Sequence, residues 1–200
     1  MFAAEEGHLE VVMYLVTHGS QLEATDLLGG LTPLMWAARG GHLEVVTYLI
    51  SQGSQLEATS TEFGGQTPLM LAAVRGHLEV VMYLVSQGSQ LEVTDTVDGR
   101  TALHLAALYG QIDVTKWLTD QGCSPWVKTN QGKTPYDMVT IESYDPEEKK
   151  RKKKEVIDFL KTVMSKTSPE VTSDTQSQVV GGNHLMLTIQ ILAEIIVTCF

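Results

Sequence analysis

Histidine and acidic side chains recur in this chain at a fixed spacing, and both types can bind metal ions or transfer protons. The histidines are His8, His42 and His77, and the acidic residues at the matching positions are Glu10, Glu44, Glu79, Asp113 and Glu155. Neighbouring packed helices lie roughly 8–10 Å apart, so histidines one repeat apart are poorly placed to share a metal ion. Acid–base catalysis needs two groups in different environments, not five equivalent positions. We predict that the histidines satisfy local backbone groups and that the carboxylates lie on the surface.

Other chemistry-bearing motifs are missing from the sequence. It contains no glycine-rich phosphate loop, no nucleophile elbow and no His-Glu-x-x-His pair. Cys123 and Cys199 form neither a disulfide framework nor a CxxC pair, which fits a reducing compartment and argues against a structural zinc. We therefore predict no catalytic residue, no cofactor and no metal, and expect that the protein is not an enzyme.

The regular spacing arises from a tandem repeat. GHLEVVMYLV begins at Gly7 and again at Gly76, GHLEVVTYLI begins at Gly41, and a looser copy, GQIDVTKWLT, begins at Gly110. A second landmark consists of Thr32, Thr67, Thr101 and Thr134, which are 35, 34 and 33 residues apart. This period is typical of helical solenoids.

Each repeat carries the signals of two helices. The landmark threonine is a favourable N-cap, and a proline at the first helical position follows it in three repeats. Paired alanines then allow close packing, and a glycine suited to a left-handed C-terminal residue ends this first helix. The second helix has apolar residues at helical spacing. Because one pair cannot bury its apolar face alone, the pairs must stack.

The repeat from Thr67 to Gly88, TPLMLAAVRGHLEVVMYLVSQG, closely resembles the ankyrin repeat, whose signature is T-P-L-H-x-A-A followed by G-H. The resemblance covers Ala3 to about Met164. It implies an all-α repeat solenoid of helix-turn-helix pairs joined by β-hairpin-like turns, here with a flexible C-terminal tail. The signature histidine occurs only as His104, which puts the side-chain bridge it usually makes in doubt in most repeats.

The landmarks predict the domain organisation. The array covers 1–166 and consists of a partial repeat at 1–24 and repeats at about 25–58, 59–93, 94–127 and 128–166. We expect a truncated first helix and an uncovered apolar end face, as in a fragment, an alternative isoform or an incomplete gene model. A flexible linker at 167–183 and an apolar segment at 184–200, too short for a comfortable membrane span, should follow.

The last repeat contains an insertion near 144–154. Asp145 as N-cap and Pro146 predict an extended helix from about Pro146 to Met164. This helix carries the basic run Lys149, Lys150, Arg151, Lys152, Lys153 and Lys154. Three interpretations remain open: a nuclear import signal, a contact with an anionic surface or nucleic acid, or the solvated extension of a capping helix.

One aromatic residue occupies the same position of each second helix. The five residues are Tyr14, Tyr48, Tyr83, Trp117 and Phe159. A platform for stacking nucleic-acid bases is conceivable, but these residues sit beside valine and leucine on helices that the next repeat must cover. We therefore predict that they pack in the core.

Two sets of variable residues are candidates for binding a partner. The apolar turn residues Leu28, Phe63 and Val97 either form a contact stripe or fold back onto the hairpins. Similarity to ankyrin arrays implies that partners also contact the concave face of the first helices, which here includes Arg39, Val74, Arg75, Leu108 and Tyr109. Tyrosine and arginine are common at energetic hot spots.

The functional prediction is a protein–protein interaction module that acts as an adaptor or scaffold. Alternatives are a regulatory ankyrin segment of a larger enzyme or membrane channel, and a nuclear regulator imported through the basic run. Residues 1–140 contain 15 acidic and six basic residues, which predicts a basic-apolar partner surface and no nucleic acid on the repeat face. We expect a monomer without a membrane span, in the cytoplasm or the nucleus.

Overall fold

The computed structural model describes residues 1–26, 30–61 and 63–167. The described residues form ten α-helices and no β-strand: α1 Phe2–Glu5, α2 Leu9–Thr17, α3 Pro33–Gly40, α4 Leu43–Ser51, α5 Pro68–Arg75, α6 Leu78–Ser86, α7 Ala102–Leu108, α8 Ile112–Asp120, α9 Pro135–Met138 and α10 Glu147–Lys166. The predicted all-α repeat solenoid is confirmed. Leu28, the linker from 168 onward and the apolar segment at 184–200 lie outside the described residues. None of the described helices is long and apolar enough to cross a membrane.

The first helices begin and end as their residues predict. The hydroxyl oxygen of Thr32 accepts a hydrogen bond from the amide of Met35 at 3.3 Å, and Thr67 repeats this cap with Met70 at 3.4 Å. Helix α3 ends at Gly41, whose φ of 79° lies in the left-handed region. Glycine adopts this conformation without steric cost, which explains why it ends the helix.

The helices stack in two layers. Helix α3 packs between α1 and α5, and α7 between α5 and α9, while α2, α4, α6 and α8 form the second layer. The paired alanines of the first helices are fully buried, which allows their backbones to approach closely: Ala37, Ala38, Ala72, Ala73, Ala106 and Ala107. Leucines of both layers fill the space between them, and burying each one contributes about 1.5–3 kcal/mol.

A row of side-chain bridges joins consecutive repeats. Nε2 of His42 lies 2.6 Å from the carbonyl oxygen of Glu5, and Nε2 of His77 lies 3.0 Å from that of Arg39. In the next repeat Gln111 replaces the histidine, and its side-chain amide donates to the carbonyl of Val74 at 2.9 Å. Our prediction of local backbone partners was wrong in this respect, because each carbonyl belongs to the preceding repeat.

A hydrogen-bonded turn precedes each full first helix. In the third turn the amide of Asp95 donates to the carbonyl of Arg100 at 2.9 Å, and the Asp95 carboxylate accepts from the Arg100 amide at 3.0 Å. Burial alone would raise the pKa of Asp95, but hydrogen bonds from the amide and guanidinium of Arg100 hold it below its usual range. Asp26, Ser60 and Thr129 close the other turns in the same way.

The aromatic side chains of the second helices follow the core prediction with one exception. Tyr48, Tyr83, Trp117 and Phe159 are partly buried and pack against the core. Tyr14 is exposed, so the prediction was wrong for this residue. It lies on a side of α2 that no described helix covers.

The inserted residues of the last repeat form the predicted long helix. Val156 and Leu160 of α10 pack against Ala107 and close this part of the core. Asp145 does not act as the simple N-cap we expected. Its carboxylate accepts from the Glu142 amide at 3.1 Å and from the buried ammonium group of Lys153 at 2.7 Å. The hydrogen bond from Lys153 is the main reason that the pKa of Asp145 lies well below its usual range.

Candidate functional site: a groove along the first helices

A groove of about 660 Å³ runs along the ends of the first helices. It is lined by Arg39, Phe63, Gln66, Leu71, Val74, Arg75, Tyr109, Gln111, Pro146, Glu148, Lys149 and Lys152. These residues come from α3, α5 and α10, from the turns beside them and from the turn that follows α7. Five of them are residues that the sequence marks as candidates for partner binding: Arg39, Phe63, Val74, Arg75 and Tyr109.

Capping glycines explain why the groove forms at this place. Arg75 and Tyr109 each directly precede the glycine that reverses the chain, Gly76 with φ of 78° and Gly110 with φ of 75°. A side chain at the end of a first helix cannot enter the core that the paired alanines close. It therefore extends over the edge of the stack, and both Arg75 and Tyr109 are exposed.

The remaining candidates lie elsewhere. Val97 is exposed at a turn, where one of its methyl groups lies over Gly64, and it does not line the groove. Leu108 is half-buried at the end of α7 and does not line the groove either. The structure therefore brings together most of the concave-face candidates but only one of the described turn candidates.

Phe63 folds back toward the helices. The guanidinium carbon of Arg39 lies 5.7 Å from the centre of the Phe63 ring and 5.0 Å from that of Trp36. Such cation–π contacts contribute about 0.5–1 kcal/mol at exposed sites. Arg39 also lies 3.9 Å from a carboxylate oxygen of Glu5. The two rings hold the Arg39 head group at one end of the groove.

The middle of the groove combines an apolar floor with an unpaired cation. Leu71 and Val74 of α5 form the floor, and the bond from Gln111 occupies the carbonyl of Val74. Arg75 makes no ion pair within the part of the chain that the structure describes. An apolar group and an anionic group of one ligand would both find a counterpart here.

Helix α10 forms the other end of the groove. Lys149 and Lys152 lie three residues apart and therefore on one face of the helix. Lys149 pairs with Asp145 at 3.0 Å and Lys152 with Glu148 at 3.3 Å, and both lysine side chains remain about half exposed. Because Glu148 is exposed, its pair with Lys152 contributes only about 0–1 kcal/mol and leaves Lys152 available to another anion. Asp145 is buried, so Lys149 stays paired with it and offers only its exposed half to a second anion.

The groove therefore differs from the electrostatic expectation for the repeat face. Of its five charged lining residues, four are basic and only Glu148 is acidic. The excess of acidic residues in 1–140 suggested a basic-apolar partner surface, whereas the groove is locally cationic. Sequence reasoning missed the contribution of α10 because nothing in the repeat pattern places the insertion beside the first helices.

The six basic residues of the run from Lys149 to Lys154 do not form a single exposed cluster. Lys149 and Lys152 line the groove, and Lys150 pairs with Glu147 at 2.8 Å. Lys153 is buried, and its ammonium group also donates to the carbonyl of Thr140 at 2.6 Å. A receptor that reads the folded helix therefore cannot contact all six side chains at once.

Metal-binding and nucleophilic groups are sparse in the described part of the chain. No group of three or more histidine, cysteine, aspartate or glutamate side chains there is placed to hold a metal ion. The repeated acidic residues from Glu10 to Glu155 are exposed, as predicted. Burial, and secondarily the negative charge of Glu92, raises the pKa of Cys123 to about 12. Its thiol is therefore protonated at neutral pH and a poor nucleophile.

Comparison with known proteins adds one positive finding. A family model described as ankyrin repeats, in three copies, matches residues 1–60 and 54–129. No curated protein matches the chain.

Proposed function

Because the chain belongs to the ankyrin-repeat family, we propose that it is an adaptor or scaffold module that binds a partner protein in the groove between the first helices and α10. Ankyrin repeats are generally protein–protein interaction modules, and solenoids of this kind offer extended concave surfaces for binding. The proposal assigns no catalytic step to the array.

The observation that carries the proposal is the composition of the groove. Phe63 and Tyr109 are large, partly exposed side chains, and Arg39 and Arg75 stand beside them. Aromatic residues and arginine are the types that most often dominate binding energy, at about 2 kcal/mol or more for each hot spot. Their side chains gather in one depression, where a single peptide segment can contact all of them.

The exposed apolar residues outside the groove provide the matched control. Met82 lies on α6 and Val97 at a turn, and both are at least as exposed as Phe63. A double variant Phe63→Ala, Tyr109→Ala removes groove contacts, whereas Met82→Ala, Val97→Ala removes two exposed apolar side chains elsewhere. Circular dichroism and thermal unfolding should first show that both variants fold.

The experiment is affinity capture from native lysate followed by quantitative mass spectrometry. We expect a defined set of proteins on the wild type and on the Met82→Ala, Val97→Ala control, and loss of that set on the groove variant. Equal capture by the groove variant, or loss with the control instead, would overturn the assignment of binding to the groove.

A further inference from the structure

We propose that the occupant of the groove is an acidic peptide segment of a partner protein that carries at least one aromatic or large aliphatic side chain. This inference rests on the proposed function and specifies the chemistry of the partner. Carboxylates of the peptide would lie against Arg75, Lys149 and Lys152. Its apolar side chain would lie on Val74 between Phe63 and Tyr109.

The first argument is where the positive charge is concentrated. The first 140 residues contain 15 acidic and only six basic residues, and two of those six, Arg39 and Arg75, line this groove. Helix α10 adds Lys149 and Lys152 on its far side. A cationic groove on an otherwise acidic array attracts an anionic ligand locally and repels it elsewhere, which orients the ligand as it approaches.

The second argument is the availability of these charges. Arg75 has no ion-pair partner among the described residues, and the pairs of Lys149 and Lys152 are partly solvated. Because Lys152 and Glu148 are both exposed, replacing their pair by a pair between Lys152 and a peptide carboxylate changes the free energy of binding little. Lys149 keeps Asp145 and contacts the peptide carboxylate as a second partner. The Arg39 guanidinium already lies over two aromatic rings, so this side chain loses less conformational entropy when a ligand binds.

The third argument separates a peptide from a nucleic acid, which is also anionic. Nucleic-acid binding requires an extended basic face that follows the phosphate backbone. Here the cations border a short depression with an apolar floor, and the first 140 residues offer only four further basic side chains against 15 acidic ones. A short peptide segment fits within this depression, whereas a longer polyanion that extends over the repeats would meet their excess of acidic side chains.

The test is a selection of short random peptides displayed on phage against the full chain. We expect the enriched peptides to carry net negative charge together with an aromatic or aliphatic residue. The best peptide, labelled with fluorescein, is then compared by anisotropy with a version whose Asp and Glu are replaced by Asn and Gln. The neutral version should bind at least about tenfold more weakly, and added salt should weaken the acidic peptide far more than the neutral one.

Matched variants of the chain locate the effect. Arg75→Gln, Lys152→Gln removes two groove cations and leaves Lys149 to hold Asp145. The control Lys116→Gln, Lys154→Gln removes the same charge from exposed positions outside the groove. The acidic peptide should lose at least about tenfold in affinity for the first variant and less than about twofold for the second. Equal losses on both would overturn the inference.

Different failures point to different conclusions. Enrichment of neutral or basic peptides whose binding is lost with Phe63→Ala, Tyr109→Ala would overturn the acidic partner but keep the groove as the binding site. Peptides that bind this variant as tightly as the wild type, or a selection without enrichment, would contradict the proposed function as well. Polyuridylate RNA that binds more tightly than the best peptide and is lost with Arg75→Gln, Lys152→Gln would identify a nucleic-acid groove instead.

Discussion

The same ten residues, GHLEVVMYLV, occur twice in this protein, at 7–16 and at 76–85, and their side chains are buried to different extents. Both copies form a second helix, α2 and α6, with the same length and the same boundaries relative to the motif. Val80 and Leu84 of the second copy are 1% and 0% exposed. Their counterparts Val11 and Leu15 are 47% and 40% exposed.

The difference lies entirely on one side of the helix. Met13 and Met82 are almost equally exposed, at 41% and 44%, because both face away from the stack. Val12 and Val81 are both buried. The exposure differs only for residues on the side that faces the preceding second helix. Helix α4 covers that side of α6, whereas no described helix covers that side of α2. Local sequence therefore determines the helix, and the neighbouring repeat determines which of its apolar residues belong to the core.

The largest expected effect comes from making the same leucine-to-alanine substitution in both copies. Leu84→Ala should lower the free energy of unfolding by about 2–5 kcal/mol, because it leaves a cavity in a fully packed site. Leu15→Ala should cost less than about 1 kcal/mol, because the residue already contacts solvent. Urea unfolding followed by circular dichroism measures both values. Equal losses would mean that α2 is covered as well as α6.

Two adjacent lysines provide the same kind of comparison in α10. Lys153→Met removes the donor that the Thr140 carbonyl and the Asp145 carboxylate share. Because the Asp145 carboxylate is buried and loses a charged partner, the substitution should lower the free energy of unfolding by about 1–3 kcal/mol. Lys154→Met changes an exposed side chain and should alter stability by less than about 0.5 kcal/mol. Thermal unfolding of both variants checks this, and a Lys153→Met variant as stable as the wild type would show that the buried contact is not needed.

The bridging histidine distinguishes the two copies by a smaller amount. His77→Ala should cost about 1 kcal/mol, because the Arg39 carbonyl loses its donor, whereas exposed His8→Ala should cost almost nothing. His77→Gln should recover most of the loss, since Gln111 makes the same bond in the next repeat. Failure of glutamine to recover stability would contradict a role based on hydrogen bonding.

The smallest expected effect is a pH dependence that belongs to the second copy. Burial lowers the pKa of His77 below its usual value, so near pH 6 the unfolded chain binds more protons at this site than the folded chain does. His77 therefore favours folding least in acid, and stability should fall as the pH drops below about 6.5. Urea unfolding across this range should show a shallower fall for His77→Gln, and an unchanged profile would contradict the assignment.

Much of this architecture follows from local sequence patterns. The threonine caps, the glycine stops, the buried alanine pairs and the extent of α10 require only near neighbours, and each was predicted. The exposure of Tyr14 and the inter-repeat partners of His42 and His77 were not, because both depend on what the adjacent repeat places nearby.

The residues of the candidate site also divide into those that local sequence identifies and those that depend on distant parts of the chain. Arg39, Val74, Arg75 and Tyr109 could be named because they occupy the ends of first helices. Lys149 and Lys152 could not be named, because the basic run does not indicate which part of the fold its side chains face. The burial of Lys153, three positions before Val156 on the same helix, follows from extending the apolar spacing of α10 into the basic run.

The most direct test of the groove as the binding surface is site-specific photo-crosslinking in native lysate. p-Benzoylphenylalanine is incorporated in place of Tyr109 inside the groove, or in place of Met82 outside it, and each protein is irradiated. We predict a covalent partner adduct from position 109, which an excess of the selected acidic peptide prevents, and none from position 82. Adducts from position 82 alone, or adducts at 109 that the peptide does not reduce, would contradict the account.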